Sequence, residues 1–137
     1  MTFLLDTNVV SELRKGTRAN RGVSAWIATV DDGDLFLSVL VAGELRQGVE
    51  RLRLRDAPAA ARLDRWYGAL IDGYADRLLP VDVRITDLWG RLNVPDPISA
   101  VDGLLAATAI VHGLTLVTRN VKDVARTGVT LHNPFTD

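Results

Sequence analysis

Four short apolar runs alternate with longer stretches of helical periodicity, and that alternation constrains the fold more than any other feature of the chain. Phe3-Leu4-Leu5 stops at Asp6-Thr7-Asn8, and Leu35-Phe36-Leu37 stops at Ser38. Leu78–Val81 and Thr115–Val117 are the third and fourth runs. Runs this short, with no polar alternation, fit strands covered on both faces. Helices between such strands make the strands run parallel. The expected fold is α/β: three α/β/α layers around a central parallel sheet. Thr130-Leu131 reads as an edge strand, which brings the sheet to about five strands.

The intervening segments read as follows. Val9–Lys15 and Val23–Val30 are helices, the second with Trp26, Ile27 and Val30 on its apolar side. Asp31–Asp34 is a turn. Ser38 caps a helix over Val39–Arg53, where Val41, Leu45, Val49 and Leu52 recur at helical spacing. Pro58 suits the first turn of a helix that continues to Tyr74. Val83–Leu92 is helical, and Asn93–Pro97 is a loop. Ser99–His112 is apolar nearly all round, so it is expected to be buried, and Gly113 ends it. A short helix follows Asn120. No repeat, low-complexity tract or linker divides the chain, and 137 residues fit one domain, 1–137.

Composition removes several kinds of chemistry. There is no cysteine, hence no disulfide, thiolate zinc site or cysteine nucleophile. His112 and His132 are the only imidazoles, too few for a histidine-rich metal site. The net charge of −1 and pI of about 6.1 leave no overall basic footprint of the kind nucleic-acid binders show. The bases are mostly arginine, however, clustered as Arg14, Lys15, Arg18 and Arg21 and as Arg46, Arg51, Arg53 and Arg55. A guanidinium fork suits phosphate and surface ion pairs equally. No signal peptide is expected at the N-terminus, and stretches such as Leu35–Gly43 and Leu104–Val111 are too short to span a bilayer. The expected location is the cytoplasm.

Four acids lie beside the junctions where strand hands over to helix: Asp6, Glu44, Asp102 and Asp123. In a parallel sheet such junctions gather outside the carboxyl ends of the strands. Carboxylates converging there repel one another unless a cation neutralises them. Each acid also has a local explanation. Asp6 fits an ordinary turn, with Asn8 capping the next helix. Ser99-Ala100-Val101-Asp102 matches a capping box, with Asp in the place of Glu or Gln. Glu44 fits an exposed helix position, although Gln47 and Gly48 deny it the usual ion pair. Asn120 as a cap with Asp123 in the first turn accounts for the last pair. Against these stands a shared location. Asp102 opens a helix expected to be buried and has no base one turn away, and a buried carboxylate needs a partner.

The residues together resemble the PIN-domain ribonucleases. The likeness rests on Leu4-Leu5-Asp6-Thr7-Asn8, the isolated Glu44, Asp102-Gly103-Leu104-Leu105-Ala106-Ala107-Thr108-Ala109, and Thr118-Arg119-Asn120 with Asp123. Within that family the chain is similar to the VapC toxins, and among these to the FitB-like subgroup. Asp6–Lys15, Leu35–Glu44, Gly113–Asn120 and the ending Asn133-Pro134 carry the subgroup likeness. The resemblance covers nearly the whole chain. It implies a five-stranded parallel sheet and an endoribonuclease dependent on Mg²⁺ or Mn²⁺, with Asp6, Glu44, Asp102 and Asp123 as catalytic metal ligands. Thr7, Asn8, Thr118 and Asn120 match the accompanying polar positions. It also implies a VapB-like antitoxin that wraps the toxin and blocks its site, toxin homodimers, and toxin–antitoxin hetero-oligomers.

Oxygen-only ligands independently favour Mg²⁺ or Mn²⁺ over softer metals. Arg14, Arg46 and Arg119 are candidates for holding an RNA backbone. Two rival readings keep the same acids. A phosphoacceptor receiver domain is also a small parallel α/β fold, but it wants adjacent acids after the first strand, where this chain has Asp6-Thr7-Asn8. A non-catalytic RNA- or protein-binding module could keep the fold without the chemistry.

Overall fold

The computed structural model describes residues 1–137. Its strands are β1 (Phe3–Leu5), β2 (Leu35–Ser38), β3 (Leu78–Leu79), β4 (Thr115–Val117) and β5 (Leu131–His132). All pair in parallel, in the order β3-β2-β1-β4-β5. Seven helices flank them in three layers: α1 (Thr7–Leu13), α2 (Arg21–Ile27), α3 (Val39–Arg53), α4 (Ala57–Gly73), α5 (Val83–Leu92), α6 (Ala100–His112) and α7 (Val121–Val124). No helix is long and apolar enough to cross a membrane.

The apolar runs form the centre, as their lack of alternation requires. Leu4, Leu5, Leu37 and Val117 are fully buried, packed with Val9, Val41 and Ala109 from the helices. Each such leucine contributes about 1.5–3 kcal/mol relative to staying in water. α6 supplies Leu105, Ala106 and Ala109 to this core and buries Gly103, Ala107 and Thr108 as well, which is why its sequence is apolar on nearly every side. Small residues bring it close to its neighbour. A Cβ added at Gly103 would lie 2.9 Å from Cδ1 of Trp89 on α5.

Several boundaries differ from the sequence reading, each for a local reason. α1 begins at Thr7 rather than Val9, because the Asp6 carboxylate, not Asn8, accepts the Thr7 amide. α2 begins at Arg21 rather than Val23, because the Asn20 side chain accepts the Gly22 and Val23 amides. It closes at Ile27 instead of Val30. β3 ends at Leu79, since Pro80 has no N–H to extend a ladder. β5 is Leu131–His132, one residue beyond Thr130-Leu131, with Leu131 opposite Leu116. α4 starts at Ala57, where Asp56 caps it by accepting the Ala59 amide, and Pro58 lies in its first turn. Gly113 ends α6 in the left-handed conformation, φ 67°.

Strand order separates two of the readings left open by the sequence. Receiver domains are wound 2-1-3-4-5. Here the order is 3-2-1-4-5, so the chain reverses direction of winding between β1 and β4. In open α/β sheets the ligand crevice lies outside the strand ends at such a reversal. Asp6 follows β1 and Thr118 follows β4, one on each side of it.

Candidate active site

Asp6 is the fixed point of this edge. Its amide donates to the Val117 carbonyl at 3.0 Å, which ties the end of β1 to β4. Only 7% of the residue is exposed. Its Oδ1 accepts the Thr7 amide and its Oδ2 accepts the Thr118 hydroxyl, both at 2.7 Å. Thr118 is itself buried, and its Oγ1 also accepts the Asn120 amide at 3.0 Å. Burial pushes the Asp6 carboxyl above the usual carboxylate range. The Thr118 and Thr7 bonds pull it back, and the charge of Glu44 pushes it up again.

The other acids join through Thr7 and through the electrostatic field. Glu44, one turn into α3, forms no ion pair; its Oε1 accepts the Thr7 hydroxyl at 2.5 Å. Thr7 therefore touches two of the four acids. Asp102, in the first turn of α6, is raised by burial and by the charges of Asp6 and Asp123, with Ser99 opposing. The capping box does not form: Ser99 sits at the N-cap position without bonding a helix amide, and its hydroxyl acts on Asp102 instead. Asp123 is exposed in the first turn of α7. Asn120 precedes that helix but makes no side-chain cap bond. Asn8 faces the same loop, with its Oδ1 3.4 Å from the Arg119 amide nitrogen.

The charges of Glu44, Asp6, Asp102 and Asp123 thus act on one another in a chain, with no Lys or Arg paired to any of them. No three of them close into a tight ligand cage. A hard cation such as Mg²⁺ does not require such a cage, since it is usually held through one or two carboxylates and keeps several of its own waters. The spacing does not fit a metal that needs a full set of protein ligands. The donor set is carboxylate with neutral hydroxyl and amide oxygens, which is the hard-ion choice.

The raised carboxyls have a sign that can be tested. With cations removed by a chelator, the folded protein holds protons on Asp6 and Asp102 that the unfolded chain has already released. Stability then falls as pH rises from the ordinary carboxylate value through the raised value of the folded state. Glu12, held low by Lys15, Glu50 by Arg53, Asp64 by Arg46 and Asp82 by the Ile85 amide act in the opposite sense at lower pH. Asp6→Asn removes one raised group and takes from Asp102 one of the charges that raise it. Thermal melts in chelator should therefore show a smaller loss between acid and neutral pH for Asp6→Asn than for the unsubstituted protein. Equal pH slopes would mean that burial does not destabilise the Asp6 charge.

The three candidate arginines have different surroundings. Arg46 donates to Glu50 at 3.0 Å and Asp64 at 2.9 Å and lies over the Tyr67 ring, so its guanidinium is committed within the packed α3–α4 pair. Those bonds and the two acids beside it hold it protonated far more firmly than a free arginine. Arg14 has no ion pair and lines a pocket of about 270 Å³ with Thr7, Glu44 and, from α4, Trp66. Arg119 is exposed above the Phe135 ring, 4.7 Å from guanidinium carbon to ring centre. Sequence reasoning read Ser99 only as a helix cap and did not single out Trp66 or Phe135. Only the Asn133-Pro134 ending pointed near the last of them.

Comparison with known proteins places the chain as a whole. A family model of the PIN domain matches residues 3–128. Toxin FitB of Neisseria gonorrhoeae is 32% identical over 140 residues, covering 98% of this chain and 99% of that protein. VapC ribonuclease Y4jK of Sinorhizobium fredii is 33% identical over 142 residues, covering 97% of each. The crystal structure of FitAcB from Neisseria gonorrhoeae matches with a TM-score of 0.85 at 32% identity, over 97% of this chain and 98% of that one.

Proposed function

The chain belongs to the PIN-domain family, and we propose that it is a single PIN domain, 1–137, acting as a metal-dependent endoribonuclease and as the toxin of a VapBC-type toxin–antitoxin pair. The observation that carries this reading is the acidic edge at the sheet's winding reversal: a buried Asp6, held by Thr7 and Thr118 and joined through Thr7 to Glu44, with no basic partner. The names of two relatives, a toxin and a ribonuclease, support it.

In this reading Asp6, Glu44, Asp102 and Asp123 together attract Mg²⁺ or Mn²⁺, one or two of them as direct ligands and the others through its water. Such an ion supplies charge stabilisation at a phosphodiester and lowers the pKa of bound water. The protein's own part is orientation. Thr118 and Thr7 each take one oxygen of Asp6, so that carboxylate cannot rotate. The Thr7 hydroxyl fixes Glu44 in the same way. Asn8 and Asn120 line the loop beside them as neutral oxygen donors. The acidic edge repels the phosphodiester entering it until a cation is present, which makes cleavage depend on metal, while cations outside that edge can hold the RNA backbone without one. Arg14 and Arg119 are free to take the RNA backbone, whereas Arg46 would have to leave Glu50 and Asp64.

An active ribonuclease in the cytoplasm needs an inhibitor. A guanidinium or ammonium from a small antitoxin, placed among the four acids, would supply the charge that the cation otherwise brings. The pocket between α1, α3 and α4 would seat an amphipathic helix of that partner. Single-stranded or loop RNA should be cut by the isolated protein with Mg²⁺ or Mn²⁺ and left whole in chelator. RNA that stays intact under both conditions, from protein with a native circular dichroism spectrum, would leave a binding module as the better reading.

A further inference from the structure

The last residues of the chain are tied into its first third. Beyond β5 the backbone turns at Asn133, whose Oδ1 accepts the Phe135 amide at 3.0 Å, and Pro134 is buried. Asn20 grips Thr136 by both backbone groups. Its Nδ2 donates to the Thr136 carbonyl at 2.6 Å, and its Oδ1 accepts the Thr136 amide at 3.0 Å. The Gly22 amide donates to the Thr136 hydroxyl at 3.2 Å. Gly22 is required for so close an approach, because a Cβ there would fall 2.1 Å from the Pro134 carbonyl oxygen. Asn20 is held in turn by Glu12, which accepts its amide at 2.7 Å.

This clasp lays the Phe135 ring against the Arg119 guanidinium. Arg119 has no ion pair. The acid that feels its charge, Glu12, is already engaged by Lys15 at 2.9 Å and by Asn20. Arg119 also sits between Thr118, whose hydroxyl holds Asp6, and Asn120. A guanidinium without an ion pair, stacked on an aromatic face at the loop leaving the acidic edge, is pre-organised for an anion.

We propose that Asn133–Thr136 is a strut that aims Arg119 as a clamp on an RNA phosphate beside the acidic edge, with Phe135 as the positioning residue. The proposal rests on the ribonuclease reading and goes further by naming which cation meets the backbone and what sets its direction.

The test is binding of a labelled single-stranded RNA, over a series of salt concentrations, in an Asp6→Asn background that does not cut. Arg119→Ala should weaken binding roughly 5- to 10-fold. It should also reduce the steepness of the salt dependence by about 0.7, the share of one phosphate contact on a single strand. Phe135→Leu, which keeps an apolar side chain but removes the π face, should weaken binding about 2- to 5-fold. Phe135→Trp should restore it. The double variant Arg119→Ala with Phe135→Leu should bind no worse than Arg119→Ala alone. If Phe135→Leu adds its full effect to Arg119→Ala, or leaves the salt dependence unchanged, the ring serves the fold and the strut is wrong. If Arg119→Ala binds like its parent while the unsubstituted protein still cuts RNA, this proposal alone falls. If the unsubstituted protein neither binds nor cuts RNA, the ribonuclease reading falls and the proposal with it.

Discussion

Asp6→Asn and Asp102→Asn should each lower metal-dependent RNA cleavage by about 1,000-fold or more, with the circular dichroism spectrum unchanged. Stabilising transition-state charge through a bound cation contributes several kcal/mol, and each 1.36 kcal/mol is tenfold in rate. Asparagine keeps the size of aspartate and one oxygen, so the packing around residue 6 survives. The Thr118 hydroxyl can turn to face the new amide, because a hydroxyl both donates and accepts. What is lost is the negative charge. Asp102 feels both Asp6 and Asp123, so its loss weakens the middle of the acidic chain. Ordinary cleavage by both variants would reduce these acids to a helix cap and a first-turn residue.

Leu5→Ala should be the most damaging of the simple truncations near the site. Leu5 is fully buried on the central strand, pairs with Val117 across the winding reversal, and precedes Asp6. Removing a buried leucine side chain costs about 2–5 kcal/mol, the larger values where the cavity cannot collapse. A central parallel strand has little room to shift. Against a total stability of about 5–15 kcal/mol, that is a large share. The melting temperature should drop on the order of 10 °C. Urea unfolding would measure it, and a loss under about 1 kcal/mol would mean that neighbouring helices close over the gap.

What could be read from the sequence was what local pattern controls. α3 and α5 fall where their periodicity placed them, and β4 where its apolar run lies. Ser38 caps α3 as its residue type suggests, accepting the Leu40 amide. What could not be read depended on distant residues. That β1 pairs with β4 rather than ending the sheet is a tertiary fact, and no spacing in the chain encodes it. Ser99-x-x-Asp102 has the form of a capping box, but burial and two neighbouring acids set what Asp102 does. Arg46 looked available until α4 brought Asp64 beside it. The Arg119–Phe135 stack needs the last residues to return to Asn20, 116 positions away. At the acidic edge, alignment of strand ends is implied by parallel topology, so the location of the acids was legible. The hydroxyls that hold Asp6 and Glu44 were legible only as residue types.

The proposed function needs the four acids to attract one cation, with Asp6 among its holders. Calorimetric titration with Mn²⁺ tests it most directly, on the unsubstituted protein and on Asp6→Asn at the same pH. The expected result is a saturable binding heat for the unsubstituted protein, a higher melting temperature when Mn²⁺ is present, and neither for Asp6→Asn. No heat in the unsubstituted protein, or the same heat in both, would contradict it.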